Sequence, residues 1–167
     1  MPLLILNSNE YEPKEYIDRK TTKAVIVNQE GKVLLFDSNL IGGGVEENET
    51  YEEALHREAL EEAGAKIEII KYLGDAIQYR DFIKRKYLVK GYYCKYIESL
   101  GLATTTQDDE VGIEAQWFNP DDALTNLQNE IEVIKNENPK GYKDDAYQME
   151  IYNREMAIFF IKEAFKK

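Results

Sequence analysis

Three glutamates and three glycines carry the chemistry that this sequence suggests. Glu58, Glu61 and Glu62 stand at i, i+3 and i+4 in a helix-forming stretch, and at about 100° per residue this spacing puts all three on one helix face. Like charges so spaced destabilise a helix by about 0.2–0.5 kcal/mol per pair. Glu61 and Glu62 also fall in the last turn, where the macrodipole favours cations over anions. A hard divalent cation would reverse the sign of both effects, because magnesium takes carboxylate oxygens, keeps several waters and bridges to phosphate. The other reading of an acidic stripe is a solvated helix face. Gly42-Gly43-Gly44, just before the helix, allow a backbone to approach a metal or a phosphate closely.

These residues must be positioned by the elements around them. Thr50-Tyr51-Glu52-Glu53 matches a capping box, with Thr50 as N-cap and Glu53 at the third helical position. The helix is expected to run to Ala63 and to stop at Gly64. Leu55, Ala59 and Ala63 form a neighbouring apolar stripe that can pack on a sheet. Upstream, Lys23 to Val27 and Val33 to Phe36 read as a hairpin around Asn28-Gln29-Glu30-Gly31. Leu3 to Asn7 suits an edge strand, and residues 8–22 show no clear period. Downstream, Lys66 to Tyr72 and Phe82 to Tyr96 are strand-like, the second broken by a bend at Gly91. A polar loop from Gly101 to Glu114 precedes a short strand at Gln116 to Phe118. Asn119-Pro120 then opens a helix through about Leu127. The final helix, Lys143 to Lys166, holds the apolar run Ala157 to Ile161, which should dock on the sheet.

The chemistry-bearing segment reads Gly43, five positions, Glu49, seven positions, then Arg57-Glu58-Ala59-Leu60-Glu61-Glu62-Ala63-Gly64-Ala65. It resembles the Nudix box, the signature of the Nudix hydrolases, at all its fixed positions. Ala59 and Ala65 fill the two aliphatic positions, and Ile41 stands where many members have proline; neither departure removes a ligand. The resemblance implies an α+β fold, the Nudix α/β/α sandwich with a mixed sheet between helices, as one domain over residues 1–167. It implies hydrolysis of a nucleoside diphosphate linked to another group. By the same correspondence Gly43, Glu58, Glu61 and Glu62 would bind the metal, magnesium or alternatively manganese, and Arg57 with Glu49 would orient loop and helix. The spacing agrees that Arg57 can fix glutamate rotamers, since Glu53 to Arg57 and Arg57 to Glu61 are both opposite-charge pairs at i, i+4. Family members differ in their general base: Glu58 is one candidate, and Glu110 or Glu114 in the loop before Trp117 is another. Substrate contacts are expected from Tyr79, Arg80, Phe82 and Tyr87, which offer stacking faces and a cation near the second strand pair.

Composition narrows the partners. The 167 residues are 43% hydrophobic and 32% charged, with 21 Lys and Arg against 32 Asp and Glu, a formal charge of −11. That balance disfavours long nucleic acids and leaves a small nucleotide as the expected partner, with a homodimer as an open option. One cysteine and one histidine exclude an internal disulfide and a Cys/His zinc site. No run of roughly 20 apolar residues could span a bilayer, so a cytoplasmic protein without membrane contact is expected. A nucleotide sensor without catalysis, built on the same fold, is the reading from a different class; an intact set of metal carboxylates argues against it.

Overall fold

The computed structural model describes residues 1–7, 15–101, 114–138 and 144–167. Strand β1 (Leu3–Leu6) precedes β2 (Ile17–Val27), β3 (Val33–Phe36) and the two-residue β4 (Asn39–Leu40). Helix α1 (Tyr51–Ala63) leads into a long hairpin of β5 (Ala65–Arg80) and β6 (Arg85–Ser99), closed by a 3-10 turn at Asp81–Ile83. β7 (Ala115–Phe118), α2 (Pro120–Glu137) and α3 (Asp145–Ala164) complete the described chain.

The strands form one mixed sheet in the order β1-β5-β6-β2-β3-β4, with β7 paired to β3. β1 lies parallel to β5 and β2 parallel to β6, while β5 and β6 pair antiparallel. Alternation along each strand gives the sheet two apolar faces. On one, Ala24, Ile26, Leu34, Tyr92 and Cys94 pack with Leu55 and Ala59 of α1. On the other, Val25, Val33 and Val89 pack with Leu127 and Ile131 of α2 and Met156 and Phe160 of α3. The expected sandwich of helices around a mixed sheet is therefore the observed one. Among the described residues no helix is long and apolar enough to cross a membrane.

Several expected boundaries move. β2 starts at Ile17, taking in six residues without an apolar period, because its first half is held by pairing with β6 from Ile17↔Arg85 onward rather than by burial. α2 runs ten residues past Leu127, to Glu137, since Ile131 and Ile134 continue its buried stripe against α3. Asn119 takes the N-cap position without a capping bond and donates instead to Asp122. Phe82 leaves the strand for the 3-10 turn.

Gly91 does not bend the chain as expected. It lies inside continuous β6, opposite Gly74, and its missing side chain admits the Phe160 ring: a Cβ there would sit 2.2 Å from that ring. Phe160 is fully buried and walled in. Gly91→Ala is therefore expected to destabilise the fold by about 1–3 kcal/mol, the usual range for overpacking a core. A denaturant midpoint equal to that of the wild type would show that α3 shifts freely on the sheet.

Candidate active site

Helix α1 begins as its residues dictate. Thr50 Oγ1 accepts from the Glu53 amide at 3.1 Å, and the Glu53 carboxylate accepts from the Thr50 amide at 2.8 Å. Glu53 is thereby committed to the cap, so the expected Glu53–Arg57 pair does not form. Gly64 closes the helix, its amide donating to the carbonyls of Ala59 and Leu60.

The glycine loop runs antiparallel alongside β2, with Thr21 facing Gly44 and Ala24 facing Ile41. A Cβ would be crowded at all three glycines, at Gly44 by the Arg19 guanidinium at 2.2 Å. Gly42 has φ +136°, and a Cβ would lie 2.1 Å from the Thr22 carbonyl oxygen; at Gly43 a Cβ would lie 2.5 Å from a Glu58 carboxylate oxygen. The loop carbonyls are all engaged. Gly42 accepts from Lys23 Nζ at 2.7 Å, Gly43 from the Thr22 amide at 3.0 Å, and Gly44 from Arg57 Nη2 at 2.9 Å.

The three glutamates do not share one environment. Glu58 and Glu62 are buried, at 4% and 5% exposure, whereas Glu61 is part-exposed. Glu62 Oε2 accepts from the Gly42 amide at 2.8 Å. Arg57 Nη1 donates to Glu58 Oε1 at 2.7 Å and to Glu61 at 3.3 Å, and the same guanidinium grips Glu49 through two bonds of 2.8 and 2.9 Å. Among the described residues no three acidic, histidine or cysteine side chains converge closely enough to hold a metal ion. The three carboxylates have different partners, Arg57 for Glu58 and Glu61 and the Gly42 amide for Glu62.

The electrostatics follow this division. Burial pushes the Glu58 carboxyl above its usual range, against the pull of Arg57 and, more weakly, Lys23. Glu49 moves the other way: its hydrogen bond from Arg57 holds it below the usual range. Glu58 Oε2 is fully buried and accepts no hydrogen bond. An orphaned buried carboxylate oxygen, in an all-oxygen donor set beside a loop that tolerates no side chain, fits a hard cation such as magnesium or manganese. It does not fit a soft one.

Lys23 escaped the sequence reading. It is a buried lysine whose ammonium bridges the carbonyls of Leu40, at 2.9 Å, and Gly42. A charge opening the otherwise apolar run Lys23-Ala24-Val25-Ile26-Val27 was the available signal. Lys23 also lines a polar cavity of about 170 Å³ beside Glu62, with Phe36, Asn39, Gly42 and, from α3, Asn153 and Arg154. None of the four expected substrate residues lines this cavity. Arg80 is paired with Asp145 and sits 5.3 Å from the centre of the Tyr87 ring; Tyr79 packs edge-on to Tyr16; Phe82 is exposed in the 3-10 turn. All four lie near the β5–β6 tip, where Arg80 is tied to Asp145 at the start of α3. Glu114 lines a different cavity, with Asp37, Gln116 and Glu130, and Glu110 lies outside the described residues.

A family model described as the NUDIX domain matches residues 18–137, from β2 to the end of α2. The chain belongs to the NUDIX family. It is 48% identical over 59 residues to the putative 8-oxo-dGTP diphosphatase YtkD of Bacillus subtilis (strain 168), a match spanning 35% of each chain. A NUDIX hydrolase structure from Nitrosomonas europaea superposes with a TM-score of 0.52 at 24% identity, over 64% of this chain and 75% of that one. A MutT protein structure from Methanosarcina mazei Go1 gives 0.50 at 16% identity, over 87% of this chain and 97% of its own. Both structural likenesses concern the fold. Helix α3, which walls the cavity beside Glu62, lies beyond the matched segment.

Proposed function

We propose that this chain is a divalent-cation-dependent pyrophosphohydrolase of the cytoplasm, cleaving a nucleoside diphosphate linked to another group. A canonical or oxidised nucleoside triphosphate, giving the monophosphate and pyrophosphate, is the first substrate class. The observation that carries the reading is the buried, unpartnered Oε2 of Glu58 at the glycine loop. The name of the Bacillus subtilis relative supports the triphosphate class.

Gly43, Glu58, Glu61 and Glu62 are the residues that would hold the cation. When bound, a magnesium or manganese ion neutralises charge on phosphate oxygens and acidifies water. The chain's own residues do the rest. Arg57 fixes Glu58 and Glu61 relative to the loop. Water attacks phosphorus, its oxygen forming the new bond as the bridging P–O bond breaks, and the Glu58 carboxylate accepts the water's proton. Glu110 and Glu114, in the segment before β7, keep their place as alternative bases. The cavity beside Glu62 offers the nucleoside a polar wall of Asn39 and Asn153.

A panel of nucleoside triphosphates, nucleotide sugars and dinucleoside polyphosphates, incubated with protein and magnesium and resolved by chromatography, tests this reading. Turnover is expected for at least one triphosphate and is expected to stop in excess chelator. Full turnover in chelator, or no turnover of any nucleotide with either magnesium or manganese, would refute it. In labelled water the label should enter a phosphate and not the sugar.

A further inference from the structure

Two fully buried polar atoms without a hydrogen-bond partner flank the same glycine: Thr22 Oγ1 and Glu58 Oε2. Their proximity follows from the strand register. Thr21 faces Gly44 and Ala24 faces Ile41 in an antiparallel pairing, which sets Thr22 opposite Gly43, and the Thr22 amide donates to the Gly43 carbonyl at 3.0 Å. Directly opposed residues project to the same face, with Cβ positions about 4.5–5.5 Å apart. Gly43 has no side chain, and the Glu58 carboxylate stands in its place: a Cβ there would meet Oε1, Cδ and Oε2 at 2.5 to 2.9 Å.

Alternation along β2 agrees. Ala24 and Ile26 pack on Leu55 and Ala59 of α1, so Thr22, two residues before Ala24, also faces α1. The Thr22 hydroxyl and the Glu58 carboxylate thus lie in one layer, about one cross-strand spacing apart, without bonding each other. Buried polar groups in folded proteins are nearly always satisfied, by ordered water where protein groups do not reach.

We infer that Thr22 is a positioning residue for Glu58: its hydroxyl and Glu58 Oε2 share one buried water that fixes the carboxylate rotamer, and with it the affinity for the divalent cation. The inference rests on the reading of Glu58 as a cation ligand. Groups that orient a ligand from behind typically change metal affinity by about 10–100-fold when removed. The hydroxyl also has a distinctive stability signature. Held only through that water, the hydroxyl contributes little to the fold, so the isosteric, β-branched Thr22→Val should melt close to wild type in chelator.

The test uses manganese alone as the probe, with free Mn²⁺ counted by electron paramagnetic resonance, and thermal melts in chelator. Thr22→Val, Thr22→Ser and Glu58→Gln are compared with wild type. Thr22→Val is expected to bind Mn²⁺ about tenfold or more weakly while melting close to the wild-type temperature, and Thr22→Ser, which restores the hydroxyl, to bind like wild type. If Thr22→Val binds like wild type while Glu58→Gln loses binding, the inference about Thr22 fails and the cation site stands. If neither variant changes binding, Glu58 is not a cation ligand and the functional reading fails with it. A Thr22→Val protein that melts well below wild type in chelator, or does not fold, assigns the hydroxyl a structural role and overturns the inference. So does a Thr22→Ser protein that binds as weakly as Thr22→Val.

Discussion

Glu58→Gln is expected to lower turnover by about 10³-fold, within the roughly 10²–10⁴-fold range that follows loss of a general base, and to do so without unfolding the protein. The substitution keeps the shape and the carbonyl oxygen that can accept from Arg57 Nη1. It removes a charge that burial opposes. The same charge gives the cation-free protein a pH dependence whose sign is fixed. A carboxyl whose folded-state value is raised binds its proton more tightly folded than unfolded, so its contribution is fully present below the unfolded value and is lost as pH rises through the folded one. Wild-type stability in chelator should therefore fall as pH climbs through the range just above ordinary carboxylates, and Glu58→Gln should flatten that fall. Melts at closely spaced pH values, beside a single-turnover rate, check both. A variant that keeps its rate would move the base to Glu110 or Glu114, in the segment before β7.

Arg57→Lys is expected to damage both stability and catalysis, by about 2 kcal/mol and about 10²-fold. The guanidinium makes five contacts, to Glu49 twice, to Glu58, to Glu61 and to the Gly44 carbonyl. Its planar fork serves several acceptors at once, which a point-charge ammonium cannot do. Losing one partner of a fully buried ion pair costs about 3–5 kcal/mol; Arg57 is partly exposed, so a smaller figure applies. At this chain length that corresponds to a melting temperature lower by about 4–8 °C. The rate falls because Glu58 and Glu61 lose the group that fixes their rotamers, and a displacement of about 1 Å can cost 10²-fold. Glu49 adds a second signature. Its lowered carboxyl contributes stability above the unfolded value that is lost as pH falls through the folded one, opposite in sign to Glu58. Arg57→Lys should weaken this acid-side loss. A variant with wild-type melting and turnover would mean that the loop and helix hold their geometry without Arg57.

Features that depend on neighbours within a few positions were legible in the residues themselves. The capping box of Thr50 and Glu53, the stop at Gly64 and the apolar stripe of Leu55 and Ala59 are all local, governed by helical spacing and backbone hydrogen bonds. So is the box from Gly43 to Ala65, whose order of residue types sufficed to point to the family. The joining of Glu49 to Arg57 follows from that same correspondence and is present as a paired ion contact.

Tertiary structure decided what depends on distant partners. That residues 17–22 form a strand follows from their parallel pairing with β6, more than sixty positions away. That Gly91 is a packing site follows from where Phe160 lands. The fate of the three glutamates was likewise not local: a helical wheel puts them on one face, but Arg57, the Gly42 amide and the fit of Glu58 over Gly43 divide them. Lys23, Asn39 and Asn153 meet at one cavity only because β2, β4 and α3 do. Periodicity reports which way a side chain points from its own element; what it meets there is set by sheet register and helix docking, which join residues far apart in the chain.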